Sequence, residues 1–316
     1  MKINKYIILL LAFSFLSVSS PLGVNAQDEL PAESVVEEQS AEVVIPPLFE
    51  YPVAPDELPD LESKVNYLME HFWDPMDFKA KSVDQNALNH AFGVYSQAMP
   101  YASRNKVFDG VKKLIGKIKG NPGLTYQFTK AAEENMFGPR ADVWIDDIYI
   151  MFLDNLAANK KIDNLRKMRY EEQRQILKAT SIGAKMPQLK FQNRYGSVSE
   201  FKPAKDLTLL EFGNPECDDC RYTKLKLEIS SDINDLMHDG KLDIAFIIPD
   251  DEDGELLELT QSYPDSWIVG SAVEDTAENF DIRATPCIYI LDKEGKIIAK
   301  NVDIETAVLI LTEHSK

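Results

Sequence analysis

The stretch LTLLEFGNPECDDCR, Leu207–Arg221, carries the strongest structural signal in this chain. An apolar run of strand length is followed by a short turn and by two cysteines, Cys217 and Cys220, at the start of a predicted helix. Two thiols at this spacing on one helical turn can close a disulfide with each other. The free N–H groups at a helix N-terminus favour the thiolate of Cys217, which is the attacking species in disulfide exchange. The pattern therefore predicts a redox-active dithiol.

The same spacing of two cysteines also occurs in zinc sites, which normally contain a second pair. This chain has no second pair, because its third and last cysteine is Cys287. A zinc ion held by Cys217, Cys220 and Cys287 would lack an evident fourth ligand. We therefore expect neither a metal nor another cofactor.

The composition limits the kinds of partner that this chain can have. It has 316 residues, with 52 Asp and Glu against 34 Lys and Arg, and a formal net charge of −18. Nucleic acids and anionic membranes are poor partners for such a chain, because phosphate binding needs clustered Lys and Arg. The length leaves room for two domains of ordinary size.

Residues 1–26 have the anatomy of a secretory signal peptide. Two lysines precede an uncharged apolar run over Ile7–Val18, and small residues at Val24 and Ala26 offer a cleavage site before Gln27. The apolar run is shorter than the roughly 20 residues that a membrane span needs. We expect an exported mature protein without a membrane span, which is periplasmic if the source is a Gram-negative bacterium.

Two segments follow, of which the first, residues 27–58, has nine acidic residues, five prolines and no Lys or Arg. This composition predicts a disordered, self-repelling linker. Residues 59–185 then show apolar side chains at helical spacing from Leu61 and again from Val107, which predicts an all-α domain. Further helices are predicted at Asn86–Gln97, Leu124–Met136, Ala141–Ala158 and Asn164–Ala179.

One aromatic cluster in the helical domain, His71-Phe72-Trp73 with Phe78, has two interpretations. It could line a ligand groove, or it could be part of the core. Aromatic residues at helical spacing are more often core than binding site, so the second interpretation is favoured.

From residue 186 the pattern changes to strands that alternate with helices. A predicted hairpin around Gly196 comes first. Strands are predicted at Leu207–Phe212, Leu242–Ile248, Trp267–Val269, Cys287–Leu291 and Lys296–Lys300, and helices at Cys220–Met237, Glu255–Ser262, Val273–Phe280 and Ile304–Glu313. The alternation predicts an α/β domain, and the late hairpin makes its central sheet mixed.

Residues 186–316 resemble the thioredoxin fold, in the form carried by exported thioredoxin-like proteins related to cytochrome-maturation reductases. Two motifs carry the resemblance: the strand, turn, CxxC and helix at Leu207–Met237, and FDIRATP at Phe280–Pro286 with the strand that follows. Residues 59–185 also resemble a helical domain of unknown function that precedes thioredoxin-like domains in exported bacterial proteins. The predicted chain is therefore an all-α domain followed by a thioredoxin-like α/β domain.

The resemblance implies a role for five residues of this sequence. Cys217 matches the exposed nucleophile, and Cys220 matches the shielded resolving thiol. Pro286, which is cis in the family, matches with Thr285 the loop that docks an extended substrate segment. Glu211 matches a carboxylate beneath the dithiol that can move the proton of the resolving thiol. The implied partners are protein dithiols or disulfides and an unidentified electron donor.

Two of the candidate site residues have alternative interpretations. An acid in the apolar run around Glu211 is costly to bury unless it is protonated or paired, and such groups cluster at working sites. The alternative is a turn of the strand that leaves Glu211 in water. Cys287 is either an inert buried thiol or a third redox-active thiol beside the dithiol.

The sequence departs from the family around the cysteines. Glu216 stands where an aromatic residue is usual, and Asp218 and Asp219 separate the two cysteines. All three carboxylates oppose a thiolate, which favours the disulfide form and indicates a reductant. We expect an exported thiol-disulfide oxidoreductase that reduces or isomerises disulfides of other proteins. The alternative is a redox-sensing or scaffolding protein whose helical domain binds a partner.

Overall fold

The computed structural model describes residues 46–138 and 141–315 of the chain. They divide into two compact units, one ending at Asn135 and one beginning at Met136. The predicted signal peptide, residues 1–26, and the first part of the predicted linker lie outside the described residues. None of the helices in the described part of the chain is long and apolar enough to cross a membrane.

The first unit is built from helices, which confirms the predicted all-α architecture. Asp60 and Asp84 each accept a hydrogen bond from a backbone N–H three residues later, so polar side chains fix the start of the first two helices. The helices are α1 (Leu61–His71), α2 (Gln85–Ala98), α3 (Arg104–Ile118) and α4 (Pro122–Met136), and a 3-10 turn at Met99–Tyr101 follows α2.

Aromatic side chains form the core of this unit. Phe72 and Trp73 are buried, and the ring of Trp73 packs edge-on against Phe128 at 5.0 Å between centroids. Phe72 and Trp73 are therefore core, whereas His71 and Phe78 are only half-buried. Phe49 and Tyr51, from the end of the predicted linker, pack against the same rings at 5.2–5.7 Å. These buried rings offset the cost of ordering an acidic, proline-rich segment, so the linker prediction does not describe its last residues.

The second unit contains a seven-stranded mixed sheet with helices. Two helices precede the sheet, α5 (Asp146–Ala158) and α6 (Asn164–Ala179). The strands are β1 (Lys190–Asn193), β2 (Val198–Glu200), β3 (Leu207–Phe212), β4 (Leu242–Ile248), β5 (Ile268–Ala272), β6 (Cys287–Asp292) and β7 (Ile297–Lys300). The remaining helices are α7 (Asp218–Ile229), α8 (Ser231–His238), the single turn α9 (Glu255–Glu258) and α10 (Ile304–His314).

Strand β3 lies inside the sheet, whose order is β2-β1-β5-β4-β3-β6-β7. It runs parallel to β4 and antiparallel to β6. All six of its residues are buried, because both of its edges are paired and both of its faces are covered. Leu207 and Leu209 lie in the core cluster that includes Leu227 of α7, whereas Leu210 and Phe212 lie in the cluster on the other face. Alternation therefore places Glu211 on the α7 side of the sheet.

Several predicted elements differ from the structure, and the differences are clearest in three helices. The single helix predicted over Cys220–Met237 is two helices, because Ser230 adopts an extended conformation and caps α8. The helix predicted over Val273–Phe280 is only a 3-10 turn at Thr276–Asn279, since two preceding residues have φ near +55°. Helix α5 begins at Asp146, later than the predicted Ala141.

The boundary between the compact units also lies elsewhere than the predicted boundary at residue 186. Helices α5 and α6 belong to the unit that contains the sheet, because buried side chains of the sheet are paired with them. Lys300 of β7 donates hydrogen bonds to Asp146 and to Thr180, and the backbone N–H of Gly183 donates to the carbonyl of Ile297 at 2.8 Å. The domain ranges 59–185 and 186–316 stay a prediction, since compact packing and domain ancestry are different properties.

Candidate active site

The turn after β3 places Cys217 at the N-cap of α7. Asn214 organises this turn: its side chain accepts from the N–H of Glu216 at 2.8 Å, and its carbonyl accepts from the N–H of Cys217 at 3.0 Å. The sulfur of Cys217 then accepts from the N–H of Cys220 at 3.3 Å. A sulfur at an N-cap occupies the position where free backbone N–H groups favour negative charge.

The two thiols differ in exposure. Cys217 is half-buried, whereas Cys220 has no exposed surface. Only Cys217 can therefore meet the sulfur of another protein directly.

The two thiols also differ in acidity. Burial opposes ionisation of Cys217, but hydrogen bonds from Cys220, Asp219 and Thr285 outweigh it and lower the pKa of Cys217 below its ordinary value. Burial raises the pKa of Cys220 to about 12, and the neighbouring charges of Cys217 and Glu211 act in the same direction. Cys217 is therefore the more acidic and the more accessible thiol of the pair, which are the properties that a nucleophilic cysteine needs.

The three carboxylates around the cysteines have less effect than the sequence suggested. Glu216, Asp218 and Asp219 are all exposed, so water screens their charges. Arg221 forms an ion pair with Asp218 and donates to the carbonyl of Glu216. The pKa of Cys217 is lowered despite their repulsion. These acids therefore no longer support the expectation of a strongly reducing dithiol.

We expect iodoacetamide to modify Cys217 selectively in the native protein near neutral pH. Cys217 has the lowered pKa and the exposure, whereas Cys220 and Cys287 are buried with raised pKa values. Peptide mass spectrometry after short labelling measures the modification at each thiol. The denatured chain, in which all three thiols should react, is the control. Equal labelling of Cys217 and Cys220 in the native protein would contradict the assignment.

Glu211 is completely buried, which excludes the interpretation that leaves it in water. Neither of its carboxylate oxygens has a hydrogen-bond partner among the described residues. Burial raises the pKa of Glu211 well above its ordinary value, and the neighbouring charge of Cys217 raises it further. An acid in such a position holds its proton to higher pH and can exchange it with a thiol.

Gly213 leaves room for Glu211 and for the ring of Phe246. A Cβ atom at this position would lie 2.4 Å from Cε2 of Phe246 and 3.1 Å from Oε1 of Glu211. We expect Gly213→Ala to lower the free energy of unfolding by about 1–3 kcal/mol, because the buried ring must move. Gly116→Ala is the control, since nothing lies within 4 Å of a Cβ there. Urea unfolding compares them, and equal stability of the two variants would contradict this packing.

The two sequence motifs meet at the dithiol. The Thr285–Pro286 peptide bond is cis, and the carbonyl of Thr285 accepts from the Cys217 thiol at 3.7 Å between sulfur and oxygen. The backbone of Thr285, just before the cis bond to Pro286, thus lies beside the sulfur of Cys217 although 68 residues separate the two.

Cys287 lies away from this arrangement. It pairs with Phe212 across the sheet and belongs to the core cluster on the face opposite Glu211. Its thiol donates to Oδ1 of Asn301 at 3.0 Å, and burial raises its pKa. This placement favours the inert interpretation. Within the described residues, no group of three or more His, Cys, Asp or Glu side chains could hold a metal ion.

Asp281 and Arg283, four and two residues before Thr285, had no role predicted from the sequence. Their side chains are buried and ion-paired with each other. Burial opposes the charge on Asp281, but Arg283 and Lys300 outweigh it and hold the pKa of Asp281 below its ordinary value. The sequence shows only two opposite charges shortly before an apolar strand. It does not show that their partners are Asp146 and Lys300, which lie far away in the chain.

Comparison with known proteins agrees with the observed architecture. Residues 24–180 match the family model described as a domain of unknown function, DUF5106. A crystal structure of a thioredoxin-like protein from Bacteroides caccae superposes with a TM-score of 0.72, covering 84% of this chain and 98% of that one at 22% identity. The fold is thioredoxin-like. The resemblance to the thioredoxin fold, drawn from the CxxC and Thr-Pro motifs, and the helical domain of unknown function before them are thus confirmed.

Two further similar structures each cover less than half of this chain. A conserved protein of unknown function from Bacteroides fragilis is 27% identical, covers 42% of this chain and 98% of its own, and has a TM-score of 0.40. The thioredoxin domain of a thiol-disulfide oxidoreductase from Bacteroides vulgatus is 20% identical, covers 43% and 99%, and has a TM-score of 0.37. No curated protein matches the chain.

Proposed function

We propose that this protein is an exported thiol-disulfide oxidoreductase that reduces or isomerises disulfides in other proteins. One observation carries the proposal: a half-buried thiol with a lowered pKa, Cys217, lies at a helix N-terminus with a second, buried thiol one turn behind it. This difference in exposure and acidity is what stepwise disulfide exchange needs.

In the first step the Cys217 thiolate attacks one sulfur of a substrate disulfide. A mixed disulfide forms, and the other substrate sulfur leaves as a thiolate that takes a proton from water. The backbone at Thr285 and Pro286 lies beside the attacking sulfur and can align an extended substrate segment. The partner is therefore a protein with an accessible disulfide.

In the second step Cys220 loses its proton and attacks the sulfur of Cys217. Glu211 in its carboxylate form can accept that proton, because its raised pKa brings it closer to the acidity of a thiol. The second substrate thiolate leaves, and the protein retains the Cys217–Cys220 disulfide. Two electrons have passed to the substrate, and an external dithiol must return them.

Insulin reduction with dithiothreitol as the electron donor tests this function. The wild-type protein should accelerate the reaction, Cys217→Ser should fall to the rate without protein, and Cys287→Ser should keep the wild-type rate. A wild-type rate equal to that of Cys217→Ser would overturn the proposal and favour a scaffolding role. Export rests on residues 1–26 and is tested separately, because the secreted protein should begin at Gln27.

A further inference from the structure

A buried ion network lies directly before the Thr285–Pro286 segment. Arg283 donates to both carboxylate oxygens of Asp281, at 2.8 and 2.6 Å, and Lys300 donates to one of them at 2.8 Å. The three side chains are 2–5% exposed. Asp281 alone would thus face two buried cations.

Asp146, the first residue of α5, supplies the second negative charge. Its carboxylate accepts from Arg283 and, at 2.7 Å, from Lys300. The guanidinium of Arg283 also lies over two rings of the segment before α5, at 4.6 Å from the centroid of Phe137 and 5.0 Å from that of Trp144. The two negative and two positive charges balance, and Phe137, Trp144 and Asp146 hold one side of Arg283.

This balance makes Asp146 more than an exposed ion-pair partner. Removing one member of a buried ion pair leaves an uncompensated charge, which the surrounding structure must move to relieve. Arg283 stands two residues before Thr285, and Thr285 contacts the sulfur of Cys217. A shift of Arg283 toward water would therefore displace the backbone that contacts the nucleophile.

We propose that Asp146 is a positioning residue for the redox site: by holding Arg283 it fixes Thr285 against Cys217 and so sets the reactivity of that thiol. Its effect on turnover rests on the proposed function, whereas its effect on the thiol does not. An element that precedes the thioredoxin-like sheet in the chain thereby controls the reacting group.

The test is the rate of Cys217 alkylation by iodoacetamide in the full chain. Asp146→Asn should slow alkylation about two- to tenfold, because the Thr285 side chain, whose hydrogen bond favours the Cys217 thiolate, would no longer lie in place. Asp146→Glu, which keeps the charge, should restore most of the rate. A purely electrostatic influence would act in the opposite direction, since removal of a negative charge favours a thiolate.

Asp154→Asn is the matched control on the same helix. Asp154 is half-exposed and pairs with Arg174 and Lys178 of α6, so its removal breaks ion pairs without touching Arg283. Its alkylation rate should equal that of the wild type. If Asp146→Asn does not fold, the alkylation rate of Trp144→Phe is measured instead. This variant weakens the contact with Arg283 while keeping all charges, so it should also slow alkylation of Cys217.

Three outcomes would overturn the proposal: a wild-type or faster alkylation rate in folded Asp146→Asn, an equal slowing in Asp154→Asn, or slow alkylation in Asp146→Glu as well. Insulin reduction is measured in parallel. If the wild type is inactive on insulin while Asp146→Asn still slows alkylation, the proposed function fails and the positioning role stands. If the wild type reduces insulin and Asp146→Asn is alkylated at the wild-type rate, the proposed function stands and the positioning role fails.

Discussion

Cys220→Ser is expected to turn this protein into a trap that holds its substrates through Cys217. Serine cannot carry out the second thiolate attack, so the mixed disulfide formed in the first step has no internal route to resolution. The nucleophile itself should remain reactive, because it is the half-buried thiol at the N-cap of α7. A species that is transient in the wild type should become the main product.

Non-reducing electrophoresis followed by mass spectrometry detects the trapped adducts. Cys217→Ser combined with Cys220→Ser should form none, and Cys220→Ser combined with Cys287→Ser should form as many as Cys220→Ser alone. Adducts on Cys287, or none on Cys217, would show that the nucleophile has been assigned wrongly. The adducts formed in the native host would also identify the physiological substrates.

Glu211→Gln is expected to change how stability depends on pH. Burial raises the pKa of Glu211 in the folded state, whereas the pKa of a glutamate in the unfolded chain is about 4.3. Between these two values the folded protein binds more protons than the unfolded chain, so rising pH destabilises it. This contribution is therefore fully favourable below the unfolded pKa and is lost as pH rises toward the folded pKa.

The glutamine variant does not lose stability in this way. As pH rises within this window, its free energy of unfolding should increase relative to that of the wild type by about 1.4 kcal/mol per pH unit. Disulfide exchange should become slower, because no group remains to take the proton of Cys220. Urea unfolding at a series of pH values measures the stability difference.

Glu216→Gln is the control for this experiment, since that exposed carboxylate adjoins the same cysteine. Its stability difference from the wild type should change little with pH. A flat difference for Glu211→Gln from about pH 5 to about pH 8 would show that Glu211 does not hold its proton in the folded state.

Local patterns in the sequence were sufficient to predict a mixed sheet and the bounds of its two central strands, whereas its thioredoxin-like character was implied by a family resemblance. Strands β3 and β4 have the predicted bounds, because a strand that is paired on both edges and covered on both faces needs an unbroken apolar run. The spacing of Cys217 and Cys220 after such a run likewise placed the dithiol at a helix start, since an N-cap is a local structure.

Where the sequence left alternatives, the environment of one side chain decided between them. The strand period placed Glu211 on a face, but only the packed sheet shows that it is buried without a hydrogen-bond partner. Three acids beside the cysteines suggested an opposed thiolate. The structure exposes those acids to water and surrounds Cys217 with hydrogen bonds, so the balance of solvation and local contacts reverses the expectation.

Periodicity and contacts between near neighbours were enough to predict an α/β domain with a mixed sheet and two cysteines at a helix start, and a family resemblance then implied the thioredoxin fold. The tertiary structure alone decided the pKa of Cys217, the isolation of Glu211 and the pairing of Asp146 with Arg283. Each of these depends on which side chains from distant parts of the chain come together and on how much water they exclude. A local sequence pattern does not specify these distant contacts or how much water they exclude.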